Sequence, residues 1–307
     1  MPTDATMYEN SIFRRETIMI KKAVIPAAGF GSRFLPATKA QPKEMLPIID
    51  TPTIQYVIEE TVKSGISQIL VITGKGKQAI ENHFDRSFEL EADLTQKNKL
   101  KHLKEVQEIA NMADLHYIRQ KELNGLGDAI RYARHFVGSE PFVVLLGDTI
   151  VKSKTPCVRQ MVDAYNLYQR PMIGVEEVPQ EKVERYGIVD AAPISESLFR
   201  VFNLIEKPTP QEAPSRLAIG GRYILTPEIF DYLDRTTPGK GGEIQLTDAL
   251  RAMCKQEEIL AFKFEGKRYD IGNKLDYLMT EVEFAVARED LGYEFRQFLK
   301  EFVKGLE

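Results

Sequence analysis

Short apolar runs alternate with amphipathic stretches through the first half of the chain. Ala23-Val24-Ile25 reads as a buried strand, and beyond a polar loop Ile54, Val57, Ile58 and Val62 recur at helical spacing, predicting a helix from Thr53 to Lys63. Gly65 closes that helix and Gln68-Ile69-Leu70-Val71-Ile72 follows as the next strand. A second helix is predicted around Ala79, Ile80 and Phe84. Residues 93–112 predict one longer helix, with Leu94, Leu100, Leu103, Val106 and Ile109 on one side and lysines and glutamates elsewhere, as in a solvated cover. His116 to Gln120 is a strand, a helix runs from the glycine turn after it to Arg134, and Pro141 to Gly147 is the clearest buried strand of all. Buried strands separated by helices predict βαβ units and a parallel sheet.

The pattern changes beyond Thr155. A helix around Val158, Met161, Val162, Tyr165 and Leu167 leads to the strand Met172 to Val175. Three further strands, at Tyr186–Val189, Phe199–Ile205 and Leu217–Leu225, have no helices between them, which predicts an antiparallel or mixed extension. A helix from Thr247 to Cys254, a strand at Ala261–Phe264, and amphipathic helices at Tyr277–Ala287 and Tyr293–Val303 complete the chain. The expected fold is α/β: a Rossmann-like three-layer arrangement with a mixed, mostly parallel sheet and a small antiparallel extension. Residues 1–19 read as a flexible leader and 20–307 as one domain, with a first half in 20–150 and a second in 151–290. The helices of 273–307 suit closure of the domain or contact between subunits, in a homodimer or homotetramer.

Composition sharpens this reading by exclusion. The 307 residues are 43% hydrophobic and 28% charged, ordinary for a globular chain, and the net charge of −4 argues against a nucleic-acid partner. Any affinity for phosphate must therefore be local. Cys157 and Cys254, far apart and outside any C-x-x-C, suggest free thiols rather than a disulfide framework or a zinc site. Asp4, Glu9, Arg14, Arg15 and Glu16 interrupt the leader where a secretory signal would need an apolar core, and no run approaches the about 18 apolar residues of a membrane span. A cytoplasmic protein without a membrane partner is expected.

Local phosphate chemistry is concentrated in residues 23–47, AVIPAAGFGSRFLPATKAQPKEMLP. Ala28, Gly29 and Gly31 remove side-chain bulk so that backbone N–H groups can approach a ligand, and Arg33, Lys39 and Lys43 supply charge. A Walker loop is excluded because Gly31 is followed by Ser32-Arg33, and the dinucleotide fingerprint fails because its third glycine position is Phe34. The turn Thr73 to Lys77 mimics a phosphate loop at the wrong spacing and reads as a strand-to-helix crossover. Elsewhere Asp148 and Asp270 end extended segments, where open α/β sheets bind ligands and where capping aspartates are also common. Glu206-Lys207-Pro208 sets opposite charges side by side, with Pro208 holding Lys207 extended. The four histidines lack metal-ligand spacing.

The motifs G-x-G-S-R-x-L-P, P-K-E-M-L-P, Q-x4-G-L-G-D-A and E-K-P resemble those of the sugar-phosphate nucleotidyltransferases, and the wording of residues 26–47 is most similar to the bacterial uridylyl branch, which joins UTP to glucose 1-phosphate. The resemblance runs from residue 20 nearly to the end. It implies the nucleotide-diphospho-sugar transferase fold, UTP and glucose 1-phosphate as substrates, UDP-glucose and pyrophosphate as products, and Mg2+ as cofactor. It further implies that Arg33 and Lys43 meet the UTP phosphates, Arg33 toward the leaving pyrophosphate, while Ala28, Gly29, Gly31, Gln120 and Gly125 hold the nucleotide and Glu44 contacts the nucleoside. Asp148 and Asp270 would carry the metal, with Asp148 also at the nucleotide. Lys207 would hold the sugar phosphate, and Glu206, Gly221 and Glu243 would read sugar hydroxyls. Ser32 stands where threonine is commoner, and Thr149 where many relatives have another acid.

Two other readings compete. A thymidylyltransferase shares the glycine loop and E-K-P, but P-K-E-M-L-P and the long segment of 80–112 favour the uridylyl type. A non-catalytic paralogue would be expected to lose charged positions, whereas Arg33, Lys43, Asp148, Lys207 and Asp270 are all present.

Overall fold

In the computed structural model, which describes residues 19–306, strand β1 (Lys22–Ala27) lies between two parallel neighbours. The leader expected at 1–19 lies outside the described residues apart from Met19. Ala23 and Ile25 face one core with the helices Thr53–Lys63 and Cys157–Tyr168, whereas Val24 faces a second core with Leu126–Arg131, Ile229–Arg235 and Leu246–Met253. A strand buried on both faces needs the unbroken apolar run seen in the sequence. Helices on both sides of one sheet give the three layers expected.

The short strands β2 (Pro47–Ile48) and β3 (Thr51–Pro52) form a separate ribbon, and the main sheet continues through β4 (Gln68–Thr73), β5 (Asp114–Arg119) and β6 (Phe142–Leu145). Next come β7 (Thr149–Lys152), β8 (Met172–Glu177), β9 (Gly187–Pro193), β10 (Leu198–Glu206), β11 (Leu217–Leu225), β12 (Leu260–Lys263) and β13 (Lys267–Asp270). The nine-stranded order is β5-β4-β1-β6-β11-β8-β12-β10-β9. Of its eight neighbouring pairs, four are parallel and four antiparallel. The mixed sheet forms as expected, with a larger antiparallel share than a small extension. β11 explains the difference: expected in the antiparallel extension, it lies inside the main sheet, antiparallel to both β6 and β8 and buried along almost its whole length.

One helix expected over 93–112 is two, Phe88–Gln96 and Leu100–Ala110. Asn98 between them has φ 54, a left-handed conformation that asparagine tolerates and a helix interior does not. The second of these helices buries none of its residues, as a solvated cover should.

The chain leaves β1 toward β4 and β5, then returns to place β6 on the other side of β1. Such a reversal opens a crevice at the carboxyl ends of the central strands. The glycine loop leaves the end of β1 and Asp148 follows β6, so both arrive at that crevice. A two-stranded ribbon absent from the sequence reading adds a third component. β7 and β13 run antiparallel with Thr149 opposite Asp270, and Ile271 N donates to Asp148 O at 3.0 Å.

Candidate active site

The loop after β1 forms three short 3-10 turns, with Gly29 exposed and no atom within 4 Å of where its Cβ would be. Gly31, at φ 69, packs so closely on Lys43 that a Cβ would stand 2.9 Å from Lys43 Cβ, and Thr38 Oγ1 donates to Gly31 O at 2.8 Å. The loop is thereby folded onto Lys43, whose ammonium lies 2.5 Å from Asp148 Oδ2. Burial opposes the Lys43 charge, but Asp148, then Glu44 and Asp270, outweigh it and raise its pKa to about 12. Burial likewise opposes the Asp148 carboxylate, and Lys43 with Arg33 overcomes it, holding the pKa below its ordinary value. Lys39 is exposed and bears on none of these groups.

Glu44, expected at the nucleoside, has a different position. It is 1% exposed, and its carboxylate accepts from Lys77 Nζ at 2.7 Å, beneath the loop. Burial raises its pKa against the pull of Lys43 and Lys77. The side chain therefore offers almost no surface to a ligand and instead braces the loop. Lys77, read in sequence as part of a plain crossover, is its buried partner.

Asp270 enters the crevice from the end of β13. Its Oδ2 accepts from Tyr186 Oη at 3.0 Å and its Oδ1 from Gly272 N at 2.9 Å. Arg33 Nη1 donates to Gly272 O at 3.2 Å, which ties the glycine loop to the same turn. Tyr186 also accepts Lys207 N at its carbonyl, at 3.0 Å, so one residue spans the carboxylate and the E-K-P turn. Lys207 is not extended as expected but has φ 47, in the left-handed region; its ammonium is 3.2 Å from Glu206 Oε1, while Glu206 Oε2 accepts from Thr247 Oγ1 at 2.6 Å. Arg33, Arg185, Lys207, Lys240, Asp270 and Asn273 line one cleft of about 520 Å3.

The remaining expected residues gather in two places. Gln120 is 5% exposed and its amide nitrogen donates to Asp128 Oδ2 at 2.8 Å and Gly125 O at 3.3 Å, leaving the amide oxygen. Gly125, at φ 104, presses on the 243–244 segment, bringing Glu243 of the second half of the chain against the first. Ala28 is 7% exposed and packs on Gly74. Gly221 is buried in a bulge of β11, where its carbonyl, though not its N–H, is taken up by Leu146 N at 3.0 Å and Arg222 Nη1 at 3.1 Å. That carbonyl is spent within the protein and is not available to a sugar hydroxyl.

Nothing in the local sequence marks Lys77, Tyr186, Thr247, Lys240 or the Arg222–Glu60 pair as part of the site. Each acts through a partner that only the fold brings near, and no local spacing signals it.

The donor set suits a hard divalent cation. Asp148 and Asp270 offer carboxylate oxygens from adjacent strand ends, and Mg2+ characteristically takes one or two carboxylates together with phosphates and water. Among the described residues no group of three or more His, Cys, Asp or Glu side chains is placed to hold a metal ion.

A family model described as Nucleotidyl transferase matches residues 22–285 of the chain. The UTP--glucose-1-phosphate uridylyltransferase of Bacillus subtilis (strain 168) is 53% identical over 287 residues, which covers 94% of this chain and 97% of that protein. Among solved structures, a UTP-bound UGPase from Acinetobacter baumannii superposes with a TM-score of 0.86 at 41% identity, covering 92% of this chain and 99% of that one. A UDP-glucose pyrophosphorylase complexed with UDP-glucose gives a TM-score of 0.82 at 42% identity, covering 88% and 100%.

Proposed function

The chain belongs to the nucleotidyl transferase family, and on that premise we propose that it is a uridylyltransferase that converts UTP and glucose 1-phosphate to UDP-glucose and pyrophosphate. A phosphate oxygen of glucose 1-phosphate attacks the α-phosphorus of UTP, the new P–O bond forms, and the bond to the β-phosphate breaks with its electron pair leaving on pyrophosphate. The sugar phosphate is already a competent nucleophile and needs no general base. The obstacles are repulsion between anions and the charge gathering on the leaving group, so positioning and cations supply the catalysis.

In this reading Arg33 and Lys43 meet the UTP phosphates and Lys207 meets the sugar phosphate. Asp148 and Asp270 hold Mg2+, which when bound neutralises phosphate charge and supports the leaving group. Ala28, Gly29, Gln120 and Gly125 flank the nucleoside, and Glu206 and Glu243 face the sugar. The observation that carries the assignment is the convergence of Arg33, Lys207 and Asp270 on one cleft, with the Lys43–Asp148 pair joined to it by the β7–β13 ribbon. A cytoplasmic setting suits two free cysteines, Cys157 buried and Cys254 half-buried. No helix among the described residues is long and apolar enough to cross a membrane. We assign the C-terminal helices Lys274–Ala287 and Gly292–Lys304 to a homodimer or homotetramer contact, because Leu275, Leu278, Phe298 and Phe302 are exposed on them.

Incubation of the enzyme with glucose 1-phosphate and a panel of nucleoside triphosphates, read by coupled pyrophosphate release, tests the reaction. UTP should be turned over fastest, and Lys207→Ala should lose most of the rate with its fold retained. Preference for dTTP, or an unimpaired Lys207→Ala enzyme, would overturn the reading.

A further inference from the structure

The sugar-phosphate side of the cleft has a charge deficit. A phosphate dianion must approach a triphosphate there, yet the Lys207 ammonium lies 3.2 Å from Glu206 Oε1, so the pair it meets is locally neutral. Arg33 belongs to the loop assigned to UTP. Arg185 Nη1 is held 3.0 Å from Asp276 Oδ2. Lys240, the fourth cation lining the cleft, donates its ammonium at 2.5 Å to a neutral acceptor, Lys207 O. Glu212, the acid that feels Lys240, is turned to Thr209, whose N and Oγ1 both donate to its Oε2, at 3.1 and 2.8 Å.

The backbone around Lys240 is built to yield. Gly239 precedes it, and Gly241 and Gly242 follow at φ 75 and φ 74 with no atom within 4 Å of where a Cβ would stand. A short shift at Gly241 and Gly242 would move the ammonium, while Gly239, packed on Asp248 and donating to Glu243 O at 2.9 Å, stays as the fixed end of the turn. The turn is also anchored at the right place. Gln245 Nε2 donates to Lys240 O at 3.2 Å and to Glu243 Oε2 at 3.1 Å, so Lys240 and the acid assigned to the sugar are held by one amide.

We propose that Lys240 is a second cation for the phosphate of glucose 1-phosphate, exchanging the Lys207 carbonyl for a phosphate oxygen when the sugar phosphate binds. This rests on the uridylyltransferase reading and adds to it a binding residue from the glycine turn. Its exchange of acceptors exposes no unpaired group, because the Lys207 carbonyl then faces solvent or substrate hydroxyls.

Steady-state kinetics of Lys240→Ala and Lys240→Arg, with each substrate varied at saturating levels of the other, tests the proposal. Loss of one charge-assisted contact should raise the KM for glucose 1-phosphate about tenfold in Lys240→Ala, with the KM for UTP changed by less than about twofold. Lys240→Arg should stay within about threefold of the wild type because the charge is kept. Lys240 is exposed, so both variants should melt with the parent. An unchanged KM for glucose 1-phosphate, an equal rise for UTP, or a fall confined to kcat would overturn the proposal, the last by leaving Lys240 only the task of holding Lys207. Wild-type enzyme that makes no UDP-glucose would remove the functional reading itself, and this proposal with it.

Discussion

The Lys43 ammonium lies 2.5 Å from Asp148 Oδ2, joining the glycine loop after β1 to the turn after β6, and each group is the main electrostatic support of the other against burial. The pair fixes the loop before any phosphate arrives. In the proposed reaction Lys43 would share its donors between Asp148 and phosphate oxygens, as a cation oriented in advance.

Lys43 is raised to about 12, so its contribution to stability is complete below the ordinary lysine value and is lost as pH rises through about 12. Asp148 is lowered, so its contribution is complete above the ordinary carboxylate value and is lost as pH falls through its own depressed one. Between pH 6 and 9 neither limit is reached. Lys43→Met should therefore be less stable than the parent by about 1–2 kcal/mol, a modest figure because both side chains keep about a fifth to a quarter of their surface in water. The deficit should be level across that range in urea titrations, and turnover should fall by about a hundredfold or more. A deficit that drifts by more than about 1 kcal/mol between pH 6 and 9 would contradict the assignment.

Tyr186 joins the two halves of the site, with its hydroxyl on Asp270 and its carbonyl on Lys207 N. The ring stacks under Arg268, whose Cζ is 4.1 Å from the centroid, so Tyr186→Phe keeps the packing and removes only the hydroxyl. Burial, with Asp270 and against Arg268, pushes the phenol up to about 12, which keeps it a neutral donor at working pH. The variant should lose about 1 kcal/mol of stability and require several-fold more Mg2+ for half-maximal rate. A Mg2+ titration of initial rates at fixed UTP checks this, and an unchanged midpoint would show that Asp270 needs no such support.

Arg222 is fully buried and spends its guanidinium on Glu60, on Gly221 O at 3.1 Å and on Thr149 O at 2.8 Å, while Glu60 also accepts Val158 N at 3.1 Å. Arg222→Met should cost about 3–5 kcal/mol, because it strands a buried carboxylate. Adding Glu60→Leu should recover part of that loss even though a second native residue is removed. Urea midpoints of the two variants decide, and a double variant less stable than the single would mean that the carboxylate is not the source of the penalty.

The sequence made the parallel half of the sheet legible because strands buried on both faces leave unbroken apolar runs, and it made the strand-end charges legible because glycine, proline and lysine punctuate the loop. It did not reveal the β7–β13 ribbon, whose strands of four residues are too short to show a period, although this ribbon sets Asp148 beside Asp270. Glu44 shows the other limit. Lys43 and Glu44 are neighbours in one motif, yet one faces the crevice and the other Lys77, and only the path of the 3-10 turn decides which. The central place of β11 was equally hidden, since burial on both faces does not say which strands flank it.

Gly125 and Gly29 separate fold from ligand. Gly125 sits at φ 104 and ψ 177, a conformation that side-chain-bearing residues avoid, and a Cβ there would stand 2.7 Å from both Glu243 Cβ and Ile244 O. The neighbouring backbone has little room to yield, since Ile244 N donates to Asn124 O at 2.7 Å and Gly127 N to Ile244 O at 2.8 Å. Gly125→Ala should therefore lose about 2–3 kcal/mol of stability and weaken both substrates, because the same displacement moves Gln120 on one side and Glu243 on the other. At Gly29 a Cβ meets no protein atom within 4 Å, so Gly29→Ala should melt with the parent. If the backbone at Gly29 closes on the nucleotide, the added methyl will be felt only by UTP, and titration calorimetry should show weaker UTP binding at unchanged melting temperature. Equal UTP affinity in Gly29→Ala and the parent would move the nucleotide away from this turn.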